Sequence, residues 1–433
     1  MNLPKEGTVV ITPTKPWGLL LANNTKKNLS QVNSLATYLQ IGHDNELYQF
    51  KVTSNNKNNF TKGFPIRIKK TAKGYKLGPT VGIMTTTGKK GIKGNIKNFI
   101  DIIKMGNKTG LLIYVFSAES VNRAEKKVKA YLYLQQHKRW IAAFMPLPDV
   151  VYNRIPSRKD ELKPLIQTTI QFLKSEDIPF FNPSYFNKWC LYQWMSESPG
   201  LNFLLPTTKK LTKQNLIELL PKNSSLYLKP VDGKAGIGFL KITNKNNIYI
   251  LSYQNSRIVD NQAFINYESL WKKISKYTNN TEYIIQTGIQ LNTYQGSPFD
   301  IRVLVQKNGL GKWLVSGIGV RVAGEKSITT HVPRGGYIAS VDQVFTEVYG
   351  KQISPVLKER ITELAIEIAK HIEKKSGAEL GEISLDLGID QEGYAWFFEA
   401  NSKPMEFDEP AIRQISLLRL MQYFRYLSGF VPE

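Results

Sequence analysis

The stretch Glu382-Ile383-Ser384-Leu385-Asp386-Leu387-Gly388-Ile389 is followed, four residues on, by Tyr394-Ala395-Trp396-Phe397-Phe398-Glu399-Ala400-Asn401. Both runs read as strands, and side chains alternate faces along a strand. Asp386 therefore points away from Ile383, Leu385, Leu387 and Ile389, which face a core. Glu399 and Asn401 share a face, opposite Trp396 and Phe398. The short linker Asp390–Gly393 ends in Glu392-Gly393 and predicts an antiparallel hairpin. Such a hairpin lets Asp386, Glu399 and Asn401 touch one hard cation. Oxygen donors without Cys or His suit Mg2+ or Mn2+, ions that commonly also hold substrate phosphates.

The rest of the composition bounds the reading. A chain of 433 residues exceeds one ordinary core, so two or three domains are expected. Hydrophobic residues make up 42% and aromatic residues 11%, the balance of a globular protein. The single cysteine, Cys190, excludes an internal disulfide and suits a reducing cytosol. No signal-like stretch opens the chain, and no run reaches the roughly 18 apolar residues of a membrane span. A soluble, cytoplasmic protein is expected.

The net charge of +23 points to anionic partners. Yet the lysines are scattered among asparagines, as in Asn55–Asn59 and Asn244–Asn247. Zinc-finger spacing, an RNA-binding aromatic motif and a long basic helix are all lacking, which argues against a nucleic-acid role. An anionic polymer remains the alternative partner that the charge alone supports.

Along the chain, Thr8–Ile11 opens a region rich in strand-like stretches. Val81-Gly82-Ile83-Met84 leads through Thr85–Gly91 into a helical pattern over Asn95–Met105, the start of a βα unit. The Gly/Lys loop between them either cradles a phosphate at the helix N-terminus or simply connects the two elements. Gly110–Phe116 reads as a buried strand, Ser120–Gln136 as a helix, Trp140–Phe144 as a strand and Leu162–Ser175 as a helix. A domain transition is placed near Ile178–Pro183. Helices are expected at Phe186–Met195 and Thr212–Leu220. Leu357, Ile361, Leu364, Ala365, Ile368 and Ile372 form one stripe of a long helix opened by Ser354-Pro355 and closed by Gly377. A last helix covers Ile412–Leu427.

Between these lies a second set of polar positions. Leu226–Pro230 is a strand ending at Lys229, followed by a glycine-bearing loop with Gly233, Lys234, Gly236 and Gly238, then the strand Phe239–Ile242. Glycine amides can face phosphate oxygens beside a fixed cation; a plain hairpin has the same pattern. Glu282–Thr287 is a strand with a polar end. Asp300-Ile301-Arg302 alternates, with Asp300 and Arg302 on one face, and Arg321 shares a face with Gly317 and Gly319. An arginine fork can hold phosphate or carboxylate. The polar loop Ser327–Gly336, with His331 and Arg334, is long enough to be functional.

These residues together resemble the ATP-grasp superfamily, in particular RimK-like amino-acid ligases, with glutathione synthetases further off. More narrowly, the chain resembles the YheC/YheD family, known as endospore coat-associated proteins. The segments that carry this are Pro146–Pro156, Phe181-Asn182-Pro183, Asn187-Lys188-Trp189, Ser327–Gly336 and Asn401-Ser402-Lys403-Pro404. The resemblance implies a mixed α/β (α+β) chain with an ATP-grasp fold. Two α+β subdomains grip a nucleotide, preceded by an N-terminal α/β region. Residues 1–75 are expected to form a β-rich region, 76–178 a pre-ATP-grasp domain and 179–433 the ATP-grasp domain.

The resemblance also implies roles. Lys188 and Lys229 hold ATP phosphates, Gly233–Gly238 forms the lid, and Gln286, Thr287 and Ile289 border the adenine. Asp386, Glu399 and Asn401 are the magnesium ligands, with Mn2+ as a substitute. Arg302, Arg321 and Arg334 surround phosphate and the acceptor carboxylate. Lys403 departs from the RimK pattern and puts a cation next to the metal ligands in sequence. The implied reaction joins an unidentified carboxylate to a nucleophile through an acylphosphate, with ATP converted to ADP. A non-catalytic coat component that binds ATP, or partners among coat proteins, is the other implication of the family.

Overall fold

The computed structural model describes residues 3–11, 17–21, 35–43, 47–54, 63–89, 91–233, 237–255, 258–279, 281–324 and 335–430. Four β-structures follow one another along the chain. The strands β1 (Glu6–Val10), β2 (Trp17–Leu21), β3 (Leu35–Ile41), β4 (Leu47–Ser54), β5 (Phe64–Thr71) and β6 (Gly74–Gly78) close a barrel in the order β1-β2-β4-β3-β6-β5. Val9, Leu19, Leu39, Phe50, Ile66 and Leu77 are buried and fill it.

The second sheet contains β7 (Thr80–Thr85), β8 (Leu112–Asn122), β9 (Lys127–Leu134), β10 (Arg139–Pro146), β11 (Val150–Asn153) and β12 (Phe180–Phe181), ordered β10-β9-β8-β7-β11-β12. Helix α1 (Ile96–Thr109) links the parallel pair β7 and β8, the βα unit expected from sequence. Asn95 caps it by accepting from Asn98 N, and Gly110 ends it in the left-handed region. The Gly/Lys loop before it is tied down. Thr87 N donates to Glu119 at 3.0 Å and Lys93 pairs with Asp160 at 2.6 Å. The one-turn α2 (Arg158–Glu161) and α3 (Pro164–Ser175) precede β12.

The helix expected over Ser120–Gln136 is absent. That span is an antiparallel hairpin, the end of β8 turning into β9. Val128, Ala130 and Leu132 are buried at every second position, so the period is two, and Lys126 turns the chain at φ 51°.

Beyond α4 (Lys188–Ser196), the third sheet holds β13 (Thr208–Lys210), β14 (Ser225–Pro230), β15 (Leu240–Lys245), β16 (Ile248–Asn255), β17 (Ile258–Phe264) and β18 (Tyr283–Thr287), ordered β13-β18-β14-β15-β16-β17. Helices α5 (Lys213–Leu219) and α6 (Tyr267–Thr278) cover its apolar face. The fourth sheet runs β22-β21-β20-β23-β24 with β19 (Thr293–Tyr294) beside β20 (Ser297–Lys307). Its other members are β21 (Trp313–Val322), β22 (Tyr337–Ala339), β23 (Glu382–Ile389) and β24 (Ala395–Asn401). One face packs on α7 (Val341–Tyr349) and α8 (Ile353–Ser376), where Ile361, Ala365, Ile368 and Ile372 form the expected stripe. The C-terminal α9 (Pro410–Ser428) lies against β20 and β21, and its Leu417, Leu420, Met421 and Phe424 join the core of the second sheet and α1.

A buried polar seam locks the second sheet to the fourth. Asn182 is fully buried at φ 53°. Its amide nitrogen donates to Glu382 O at 2.8 Å and to Ser402 O, while its oxygen accepts from Gly381 N at 2.8 Å. Asparagine tolerates this left-handed geometry better than other non-glycine residues. The Glu382 carboxylate accepts from Tyr152, from Arg154 at 3.2 Å and from Gln306 at 3.0 Å. Asn182→Ala strands several buried backbone groups, so urea unfolding followed by tryptophan fluorescence should show a loss of about 2–4 kcal/mol. A loss below about 0.5 kcal/mol would show that the seam is held elsewhere.

Candidate functional site

The polar face of the fourth sheet gathers charge from four neighbouring strands. Asp300 stands opposite Arg321, and Arg302 lies between Gly319 and Asp386. Asp386 faces Glu399 across the hairpin, and Ser384 faces Asn401. The antiparallel hairpin is therefore present, with all three proposed oxygen donors on one face.

Its alternation differs from the expected one. Asp386 pairs with Glu399 but Leu387 pairs with Phe397, so Phe398 is an extra residue in a β-bulge. The bulge lets Phe397 and Ala400 both enter the core. It also brings Trp396 and Phe398 to the face of Glu399, where strict alternation had put them opposite. Trp396 Nε1 donates to Asp390 at 2.7 Å, and Lys229 Nζ lies 5.6 Å from the centre of the Phe398 ring.

Each carboxylate has a cation. Arg321 forks onto Asp300 with bonds of 2.8 and 2.7 Å, and its Nη2 reaches Asp386 at 3.1 Å. Burial opposes the charge on Arg321, but Asp300 and Asp386 outweigh it and hold the guanidinium above the ordinary arginine range. Lys188 Nζ lies 3.2 Å from Glu399 and donates to Gly233 O at 2.8 Å. The start of α4 is fixed to the glycine loop: Lys188 N donates to Val231 O at 3.0 Å, and Asn187, which caps the helix, donates to Asp232 at 2.9 Å.

Lys229, on β14, donates to Gln286 on β18, which donates in turn to Thr208 at 2.9 Å. Burial lowers its pKa to about 8; Glu399 pulls upward and Lys188 downward. Three aromatic rings, Tyr227, Phe239 and Phe398, surround the amine at 5.6–5.9 Å. A small cavity of about 20 Å3 lies between the third and fourth sheets, bordered by Lys188, Tyr192, Ile284, Gln286 and Phe398 among others.

The remaining expected residues divide. Thr287 ends β18 and its N donates to Thr207 O at 2.9 Å; Ile289 follows just beyond, half-buried. Gly238, at φ 77°, accepts from the Tyr283 hydroxyl at 3.1 Å. Arg302 lies near Ser384 Oγ at 3.5 Å, with Phe407 stacked 5.5 Å from its guanidinium. Lys234, Gly236, His331 and Arg334 lie outside the described residues.

Lys403 is turned away from the carboxylates. Its amine pairs with Glu161 and sits 4.6 Å above the Tyr185 ring, with both charged side chains buried. Burial lowers its pKa to about 8 against the pull of Glu161. Adjacency in sequence to Asn401 carried no information about this direction. Two contributors went unassigned in the sequence. Asp300, the second acid on Arg321, was legible as a site-face residue two positions before Arg302. Phe398 was not, because nothing local marks the bulge.

Asp386, Glu399 and Asn401 fit a hard cation by donor type and by register. Among the described residues no three His, Cys, Asp or Glu side chains converge as a metal cluster, and the third donor here is an amide. No helix among the described residues is long and apolar enough to cross a membrane.

Two sheets closing on a cation-lined cleft define the ATP-grasp fold. The VanG D-Ala:D-Ser ligase from Enterococcus faecalis superposes with a TM-score of 0.50 at 14% identity, over 82% of this chain and 100% of that one. Residues 177–427 match the YheC/D-like ATP-grasp family, and the chain belongs to that family. It is 31% identical over 361 residues to the endospore coat-associated protein YheD of Bacillus subtilis (strain 168), covering 81% of this chain and 79% of YheD. With YheC of the same organism it shares 24% over 314 residues, 70% of this chain and 84% of YheC.

The Lys229 shift has a pH signature. The folded chain releases this proton near pH 8 and the unfolded chain near 10.5. Between those values only the unfolded chain holds the proton, so the folded state gains stability as pH rises; below about 8 the contribution is flat. Relative to Lys229→Met, wild type should gain up to about 3 kcal/mol from pH 7.5 to 10.5. A stability gap independent of pH in urea titrations would show an unshifted amine.

Proposed function

We propose that this chain is an ATP- and Mg2+-dependent ligase that joins a carboxylate to an amine or related nucleophile through an acylphosphate, acting in formation of the spore envelope or coat. The observation that carries the reading is the facing pair Asp386 and Glu399, each matched to a cation, Arg321 and Lys188, that also suits phosphate. The coat-associated names of YheD and YheC support the setting. In this reading residues 1–75, 76–178 and 179–433 are the functional units.

Asp386, Glu399 and Asn401 hold the magnesium, which neutralises charge on the nucleotide phosphates when bound. Lys188 and Lys229 hold the phosphates, the 233–238 loop covers them, and Gln286, Thr287 and Ile289 border the base. Arg302 and Arg321, with Arg334, orient the acceptor and stabilise charge on the transferring phosphoryl group. An acceptor carboxylate oxygen bonds to the γ-phosphorus as the bond to ADP breaks. The nucleophile then bonds to the acyl carbon, phosphate leaves, and the nucleophile gives up a proton. Positioning and charge suffice for both steps, so no side-chain nucleophile is needed. Cys190, half-buried on α4, has no part in it.

The test is ADP release from Mg-ATP with a panel of carboxylates and amines, read with product mass. Asp386→Ala should lower turnover by about a hundredfold or more, from loss of metal and phosphate charge stabilisation. Mg-ATP binding without ADP release for any pair would instead make the chain a nucleotide-dependent structural component. Polyglutamate binding that ignores ATP and survives Glu399→Ala would favour an anionic-polymer role.

A further inference from the structure

The second sheet ends in a free edge that lacks the usual protection. β10 is its outermost strand on that side and pairs with β9 alone, over its whole length and without a bulge. Among the described residues, no backbone group from Arg139 to Met145 bonds to anything beyond that ladder. Free edges are normally blunted by charge, proline, a bulge or a covering element. The outermost strand β17 of the third sheet follows this rule, with Asp260 near its centre. β10 does not: Trp140-Ile141-Ala142-Ala143-Phe144-Met145 carries no charge, and the only proline is the last residue of the strand. Both of its faces are held. Trp140 lies 5.2 Å from the Tyr133 ring, and Ile141 and Ala143 pack on the core shared with the barrel. Phe144, on the Trp140 face, is 69% exposed, and Ala142 between them is exposed as well.

A row of outward N–H and C=O groups is met most completely by another strand. Opposed residues of an antiparallel pair share a face, so a second copy of β10, related by a two-fold axis through Ala142, matches the first in side-chain direction. Arg139 then stands opposite the partner's Met145, Trp140 opposite the partner's Phe144, and Ile141 opposite the partner's Ala143. The exposed Phe144 ring, flanked on its own sheet by Lys129, gains an indole on its open side, and this happens twice. Small residues fall at the axis. Other registers fit less well. An axis at Ala143 sets Pro146, which has no N–H, against Trp140 in the ladder. An axis at Ile141 sets Phe144 against Lys138, whose φ of 46° takes it out of the strand. We propose that β10 is the contact through which two copies of this chain associate, joining their six-stranded sheets into one continuous sheet. The contact lies outside the candidate site and does not depend on the ligase reading.

The test is sedimentation velocity of the full chain over about 1–200 µM. A reversible dimer should appear, with a dissociation constant on the order of 10 µM, as suits an interface smaller than the usual ~1,600 Å2. Phe144→Lys removes the aromatic contact and charges the edge, so it should weaken the dimer about tenfold or more. Because Phe144 is exposed, the melting temperature of the variant should stay that of wild type at a concentration where both are monomers. A second measurement fixes the register. In a Cys190→Ser background, Ala142→Cys puts two thiols directly opposite each other, with Cα atoms about 4.5–5.5 Å apart and within disulfide reach. Mild oxidation should give a covalent dimer, whereas Ile265→Cys, at an 80% exposed position beside β17, should stay monomeric. A monomer throughout the concentration range, a dimer that Phe144→Lys leaves intact, or cross-linking of Ile265→Cys as fast as that of Ala142→Cys overturns the proposal.

Discussion

The structure around the site depends on neutralising carboxylates that the fourth sheet buries. Asp300 and Asp386 are each 5% exposed and lie on strands either side of the same face. Unpaired, each would cost several kcal/mol of desolvation. Arg321 answers both with one planar fork, spanning β20, β21 and β23. A lysine there could not make the bidentate pair with Asp300 and still reach Asp386. The same logic brings Lys188, at the start of α4, to Glu399. The cleft thus holds alternating charges that already balance one another. On the ligase reading, a metal and a triphosphate would exchange these internal pairs for external ones of the same sign pattern, so little uncompensated charge would be created.

Much of this was legible because period two is a strong signal. The hairpin, the face shared by Asp300 and Arg302, and the alignment of Arg321 with Gly317 and Gly319 all follow from alternation. The α8 stripe was legible from the helical spacing of three and four residues, closed by Gly377, and the βα unit from an apolar run followed by a helical pattern. Alternation fails where a residue is inserted. The bulge at Phe398 is favoured by what surrounds it, since Phe397 and Ala400 both find core and the Phe398 ring finds Lys229. Those neighbours come from distant parts of the chain. The β9 strand was misread although its alternation was present, because a polar turn at Arg123–Lys126 interrupts it and lysines suit either structure.

Several residues of the segments that mark the family serve a seam. Asn153, Asn182, Glu161, Ser402 and Lys403 bond to one another or to the backbone between the second and fourth sheets. Asn153 Nδ2 donates to Glu161 at 2.8 Å and to Pro183 O at 2.9 Å. A fully satisfied buried network fixes geometry more tightly than apolar packing, because each partner is directional. From sequence alone, polar residues in such motifs look like site residues. Here Lys403 shows the difference: it follows Asn401 by two positions and faces the opposite way.

That seam also governs the cleft mechanically. The chain leaves β24 at Asn401, passes Ser402 and Lys403 in the seam, stacks Phe407 on Arg302 and enters α9 at Glu409. Gly317 and Gly319 let this segment lie directly on β21: a Cβ at Gly317 would meet Ile412 at 2.4 Å. On the other side, α2 pairs Arg158 with Asp232 at 3.1 Å, next to the glycine loop. One short helix therefore touches both the loop that leads to Gly233 and, through Glu161, the segment that carries Glu409. The position of the loop and the position of the acidic side chain are set against a common body.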